Sequence, residues 1–226
     1  MRTIADILWK WPDGLLWRLT SRFAVASRRR RFNLFMEACR PNPSDRVIDV
    51  GVGDGAGRAL NFFEDMYPYP KQITAVALEP LPRFKTSYPA IRLVVADGRD
   101  LPFKDREFDI YISNAVIEHV GTFFDQRRFV HEACRVASTV FISTPYRWFP
   151  IDFHTLIPFA HFLPLGWRNR IYHRFGRSYY ASEANLRLID IRELRKMLPP
   201  RIRMDVVPQR FLGLVSNLNV VLTHED

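Results

Sequence analysis

The chain has 226 residues, 47% hydrophobic and 25% charged, enough for one folding unit with a full core and unlike a disordered chain. Its apolar runs are too short to cross a bilayer, and the opening "MRTIADILWKWPDGLLW" lacks the apolar core and cleavage site of a secretory leader. The net charge of +9 is uneven: nine basic residues against four acidic in 1–45, twelve against thirteen in 46–140, twelve against seven in 141–226.

Basic flanks can meet nucleic acid, an anionic membrane or a phosphorylated substrate, although scattered arginines more often serve solubility. Cys39 and Cys134 form no metal or redox spacing, so a reduced, cytoplasmic protein is expected.

In chain order, residues 1–40 read as helical, with apolar positions 4, 7, 8, 11, 15, 16 and 19 on one face and a break near Pro12-Asp13-Gly14. "SRRRR" at 27–31 heads a further helical stretch. From 46 the period changes. "RVIDVG", "ITAVALE", "IRLVVADG", "FDIYISNA" and "TVFISTP" are short runs rich in Val and Ile, separated by helical segments at 57–66, 80–88 and 122–136. Near-continuous apolar strands alternating with helices predict an α/β fold whose parallel sheet is covered on both faces. An aromatic insertion follows over about 145–190. "IRELRKML" then reads as a helix, and "RIRMDVV" and "SNLNVVLTH" as two late strands. The expected organisation is a helical extension over 1–45 and a ligand-binding domain over 46–226 that carries the insertion as a lid.

The turn "VIDVGVGDGAG" (47–57) brings glycine close to a ligand. A triphosphate loop is excluded because no Lys-Ser or Lys-Thr follows. The dinucleotide fingerprint matches through Gly51, Gly53 and Ala56, which leaves a dinucleotide and S-adenosylmethionine as competitors. Both would use glycines and a helix N-terminus. Asp49 favours the second, because an acid before the first glycine repels a pyrophosphate but suits a ligand bearing an ammonium group. Glu79 ends the second strand, where an acid can accept from ribose hydroxyls. Asp97-Gly98 ends the third, where a carboxylate can accept from an adenine amine.

These residues carry a resemblance. "VIDVGVGDG", Glu79, "ADGRDLPFKDREFD" (95–109) and "SNAVIEHV" (113–120), in this order over about 46–145, resemble the class I S-adenosylmethionine-dependent methyltransferases of small-molecule type. The resemblance implies a Rossmann-like, doubly wound sheet of seven strands with a reversed last strand. It implies cofactor contacts by Asp49, Gly51, Gly53, Glu79, Asp97, Gly98 and Asn114. Leu78-Glu79-Pro80 departs from the family's more usual Gly-x-Asp. The expected activity is methyl transfer from S-adenosylmethionine. The rivals are an NAD(P)-dependent oxidoreductase and a non-catalytic cofactor-binding protein.

Base methylation of nucleic acid is disfavoured: Ser113-Asn114-Ala115-Val116 stands where the family's amino-methylating members carry Asn/Asp-Pro-Pro-aromatic, and neither cysteine follows a proline. The insertion is rich in aromatics and arginines, and Trp9, Trp11 and Trp17 lie in the N-terminal segment. Both suit a lid over a greasy acceptor with an anionic head, or contact with the inner face of an anionic membrane; the plainer reading is packing onto the sheet. "TPYRWFPIDFHTLIPFAHFLP" also resembles methyltransferases of bacterial cell-surface glycan and glycolipid synthesis, which implies a sugar or lipid-linked acceptor. His119, after the fourth strand, and His154, on the lid beside Asp152, are the candidate bases, with turn-capping the commoner role for His119. Asp152 and His154, two apart, would not face each other on a helix. His161 and His173 read as packing or surface residues. No metal site is expected, because the histidines are irregularly spaced and lack cysteine partners.

Overall fold

The computed structural model describes residues 15–57 and 60–225, the first ten of these for their backbone only. Seven strands form one sheet: β1 (Val47–Val50), β2 (Ile73–Ala77), β3 (Arg92–Val95), β4 (Phe108–Asn114), β5 (Ala137–Pro145), β6 (Ile202–Phe211) and β7 (Leu214–His224). Their order is β3-β2-β1-β4-β5-β7-β6. The first five run parallel. β7 is antiparallel to β5, and β6 pairs antiparallel with β7. This is the expected α/β sheet of seven strands with one reversed.

The strand order reverses direction between β1 and β4, where carboxyl ends of parallel strands splay apart and leave a crevice. β1 and β2 are buried along their whole length, as Val- and Ile-rich strands covered on both faces should be. The edge strand β6 alternates partly buried with exposed positions and carries Arg203, Asp205, Pro208 and a bulge at Gln209/Arg210. Charge, proline and a bulge are devices that keep an edge from pairing with another chain.

Helices α1 (Leu15–Cys39), α2 (Phe62–Met66) and α3 (Pro82–Ser87) precede the fourth strand; α4 (Phe123–Val136), α5 (Leu165–Arg174) and α6 (Ile191–Met197) follow it. One core cluster joins Ile48, Val50, Tyr111 and Val140 to Phe129 and Val130 of α4 and Leu194 of α6. The opposite face joins Val47, Ile110 and Ile112 to Phe32 and Phe35 of α1, Phe63 of α2 and Phe84 of α3. Successive strand residues point to opposite faces, so Tyr111 and its neighbours Ile110 and Ile112 enter different clusters. Phe35 meets Phe63 and Phe141 edge-on at 5.1 and 5.6 Å. The end of α1 is therefore part of the core.

One expectation needs correcting. The helix after the glycine turn starts at Phe62 rather than 57, because Asn61 clasps the turn: it donates to the carbonyls of Gly53 and Gly55 (2.9 and 2.8 Å) and accepts from Gly53 N–H (3.0 Å). The run of arginines at 28–31, whose role the sequence leaves open, divides between surface and interior. Arg29 and Arg30 are exposed, but Arg31 is buried and donates to the side-chain oxygen of Asn114. Trp9 and Trp11 lie outside the described residues, as does the side chain of Trp17.

The insertion between β5 and α6 is a string of turns around α5. Its aromatics do not all pack inward. Trp148, Phe159, Trp167, Phe175 and Tyr179 are each more than half exposed.

Candidate functional site

A cleft of about 430 Å³ opens at the carboxyl ends of β1, β2 and β3 and is closed by the segment after β4. Val50, Val76, Ala77, Val116, Val120 and Phe129 make its walls apolar, and Asp54, Glu79 and Asp97 bring carboxylates to it. Apolar walls with a few placed polar groups are the usual make-up of a small-molecule site.

The glycines fit this cleft for steric reasons. Gly51 has φ +106°, and a Cβ there would lie 2.1 Å from Val116 Cγ2. A side chain would thus meet both a strained backbone and a cleft wall. A Cβ on Gly98 would stand 2.6 Å from the Phe129 ring and 3.0 Å from Val50. Gly53 differs: its Cβ would meet only the exposed Leu60 side chain at 2.8 Å, and the residue does not line the cleft.

The carboxylates divide by environment. Glu79 is exposed at the end of β2, lines the cleft and has no side-chain partner among the described residues. Asp97 also lines the cleft, but Arg99 grips it: Nε lies 3.0 and 3.1 Å from its two oxygens and Nη2 lies 2.6 Å from Oδ2. These charge-assisted bonds hold its carboxyl below the usual range. Arg99 continues to Asp125 at 3.0 Å. Asp54, which the sequence did not single out, accepts from the backbone N–H groups of Arg83 and Phe84 and so fixes the start of α3 beside the cleft.

Asp49 does not line the cleft. It is buried on the α2 side of β1 beside the buried acid Glu64. Burial first, then the neighbouring Glu64, push its pKa well up. A buried acid beside a second acid replaces the expected free carboxylate at the ligand, and the desolvation and like charge both favour its neutral form. Asn114 is likewise turned from the cleft. It accepts from Arg31, whose guanidinium also sits 5.9 Å from the Phe62 ring. Burial, then Arg28, lower the pKa of Arg31 to about 10.

The two candidate bases meet. His119 follows β4 in a 3-10 turn (Ile117–His119) flanked by the cleft residues Val116 and Val120. Its Nε2 lies 3.0 Å from Nε2 of His154 on the insertion. Residues 151–155 form a turn, not a helix, so Asp152 does reach His154 Nδ1, at 2.8 Å. Asp152 also accepts from the Thr155 N–H and hydroxyl. Although burial lowers the pKa of His154, the acids Asp152 and Glu118 outweigh it and raise it on balance. Glu118, fully buried, places Oε1 3.8 Å from His154 Nε2. Glu118, His119 and His154 each offer a ligand atom within 4.8 Å of the others, so irregular spacing along the chain did not keep these residues apart. His161 lies against the Arg147 carbonyl and His173 against Ser178, as packing and surface residues do.

A second cavity of about 270 Å³ lies under the insertion, lined by Arg147, Arg168, Arg187 and His161 with Glu183, Glu193 and Tyr180. Glu193 is shared by Arg147 at 3.3 Å and Arg187 at 2.6 Å, so positive charge is in excess. The His154 ring is 5.7 Å from that of Tyr180. The histidine pair thus bridges the residues beside the cleft and those of the second cavity.

A sequence model of the family described as methyltransferase domain matches residues 48–139. The chain is 29% identical over 124 residues to a probable S-adenosylmethionine-dependent methyltransferase of Mycobacterium tuberculosis, over 52% of this chain and 42% of that protein. It spans less than half the length of the curated relatives it matches. A possible histamine N-methyltransferase of Thermotoga maritima superposes with a TM-score of 0.52 at 18% identity, covering 92% of this chain and 93% of that one. A Rhodobacter sphaeroides protein provisionally assigned to the Zn-dependent alcohol dehydrogenases superposes with a TM-score of 0.59 at 10% identity, covering 87% and 90%. Likeness at such identities shows the fold alone. No described helix is long and apolar enough to cross a membrane. The cleft suits S-adenosylmethionine: Glu79 at its rim has no side-chain partner among the described residues, its walls are apolar, and a side chain on Gly51 or Gly98 would collide with those walls. Residues 48–139 are thus similar to the methyltransferase domain, and the strand order and the cleft fit S-adenosylmethionine as the cofactor.

Proposed function

We propose that this protein methylates a lipid-linked or sugar acceptor carrying an anionic group, at the surface of an anionic membrane. The observation that carries the reading is the insertion: it exposes Trp148, Phe159, Trp167, Phe175 and Tyr179 beside a cavity lined by Arg147, Arg168 and Arg187. Exposed aromatics next to arginines suit the boundary between acyl chains and headgroups. Guanidinium groups suit phosphate or carboxylate.

Bound S-adenosylmethionine supplies an electrophilic methyl group on a sulfonium. Glu79 and Asp97 hold the ribose and adenine, while Val116, Val120 and Phe129 keep water from the cleft. The three arginines orient the acceptor's anionic group, and orientation with desolvation supplies most of the acceleration. His119 and His154, beside residues of both cavities, would take the acceptor's proton.

The test uses S-adenosylmethionine carrying a labelled methyl group, incubated with the protein and a total cell extract that is then partitioned between organic and aqueous phases. Label in the organic phase, lost on Arg168→Ala, supports the reading. Label confined to small aqueous molecules overturns the lipid acceptor.

A further inference from the structure

We propose that His119 Nε2, His154 Nε2 and Glu118 Oε1 bind a divalent first-row transition-metal cation. The outer nitrogens fix the state of both rings. His119 Nδ1 lies 2.7 Å from the Asn185 carbonyl, which can only accept, so it carries a proton. His154 Nδ1 lies 2.8 Å from the ionised Asp152 and carries one too. Each ring therefore turns the lone pair of Nε2 inward, and the two lone pairs point at each other across 3.0 Å. Something positive must lie between them, either a shared proton or a metal ion.

Three observations favour the metal. Glu118 is fully buried; its Oε2 accepts from Thr144 at 3.0 Å, but Oε1 has no hydrogen-bond partner among the described residues. A buried carboxylate oxygen without a donor needs a cation. The outer partners of the histidines, a backbone carbonyl and a carboxylate, are those that fix metal-binding imidazoles. The spacing fits as well, since two nitrogens about 2.1 Å from one ion and at right angles stand roughly 3 Å apart. Among the described residues, the charges that face the cluster are Asp152 and Glu118 against the guanidinium of Arg31, which leaves net negative charge before any cation enters.

Two imidazoles and one carboxylate suit Zn²⁺, Co²⁺ or Fe²⁺ and disfavour Mg²⁺ and Ca²⁺, which prefer oxygen. Three protein ligands leave coordination positions open. Under the methyl-transfer reading, an acceptor oxygen could occupy one and lose its proton more readily. The metal site itself does not depend on that reading.

The test is metal uptake by tag-free protein stripped with chelator, at pH 7.5. Calorimetry with Zn²⁺ should give one ion per chain, and Co²⁺ should develop visible absorption bands. Glu118→Gln preserves the shape and the Thr144 contact, and should weaken affinity at least tenfold. Asp152→Asn should weaken it by about 10–100-fold by loosening His154. His119→Gln should abolish the Co²⁺ bands. No stoichiometric uptake by the folded wild type would mean that a proton joins the rings, and the proposal falls. Unchanged uptake by both Glu118→Gln and His119→Gln would place the ion elsewhere, and the proposal falls in that case too. Neither result touches cofactor binding, which is measured separately.

Discussion

Arg31 of α1 donates to the side chain of Asn114, 83 residues away at the end of β4. This contact ties the N-terminal helix to the strand that leads into His119. Its guanidinium is buried, while Arg29 and Arg30 beside it are exposed.

Arg31→Ala leaves Asn114 without its donor and should destabilise the fold by about 1.5–3 kcal/mol, the range for a hydrogen bond to a charged group. Arg29→Ser and Arg30→Ser should stay within about 0.5 kcal/mol of wild type. Urea unfolding of the three variants makes the comparison. Equal losses at all three positions would contradict the assignment of Arg31 to the interior.

The Asp49–Glu64 pair gives stability a pH dependence of known sign. Both folded-state pKa values lie above their ordinary values of 3.8 and 4.5, chiefly because of burial. The folded state therefore holds more protons than the unfolded one, and stability falls as pH rises from those values toward the raised ones. Asp49→Asn has no charge to bury, so it should raise Tm at pH 7.5 and flatten the dependence. Scanning calorimetry from pH 5 to 8 is the check, and a Tm of the variant that falls with pH as steeply as that of wild type would refute the pair's role.

Gly51 and Gly53 should respond differently, although one turn holds both. Gly51→Ala meets Val116 and a positive φ, and should weaken the fold by about 1–3 kcal/mol and abolish cofactor binding. Gly53→Ala first meets the exposed, flexible Leu60 side chain and should keep a near-normal Tm. Thermal melts with and without S-adenosylhomocysteine distinguish them.

The sheet was legible because its parallel strands announce themselves locally, through short Val- and Ile-rich runs between turns. The positions of Glu79 and Gly98 were legible for the same reason, since strand ends place them at the crevice. Three features were not. Arg31 sits in a run of like charges, and only its register on α1 separates it from its neighbours. Asn61 follows the glycines like any polar residue, yet its side chain replaces the expected first turn of helix. His119 and His154 are 35 residues apart, and the path of the insertion brings them together. A contact between distant segments has no periodicity to reveal it.

Association with membrane should depend on the insertion and on the exposed arginines. Trp148→Ser with Trp167→Ser, and separately Arg29→Ser with Arg30→Ser, should each reduce co-sedimentation with vesicles containing acidic lipid. Each arginine near the surface is worth about 1 kcal/mol, and added salt should weaken the arginine part. Wild type that fails to sediment at low salt would leave these residues as a solvated face.

Binding of S-adenosylmethionine through Glu79, in the cleft at the ends of β1, β2 and β3, is the claim on which the rest depends. Isothermal calorimetry with S-adenosylmethionine, on wild type and Glu79→Ala, tests it most directly. The expected result is one site per chain in wild type, at least a tenfold loss of affinity in a variant that stays folded, and no binding of NAD or NADP. Equal affinity in the two proteins, or binding of NAD(P) in place of S-adenosylmethionine, would contradict it.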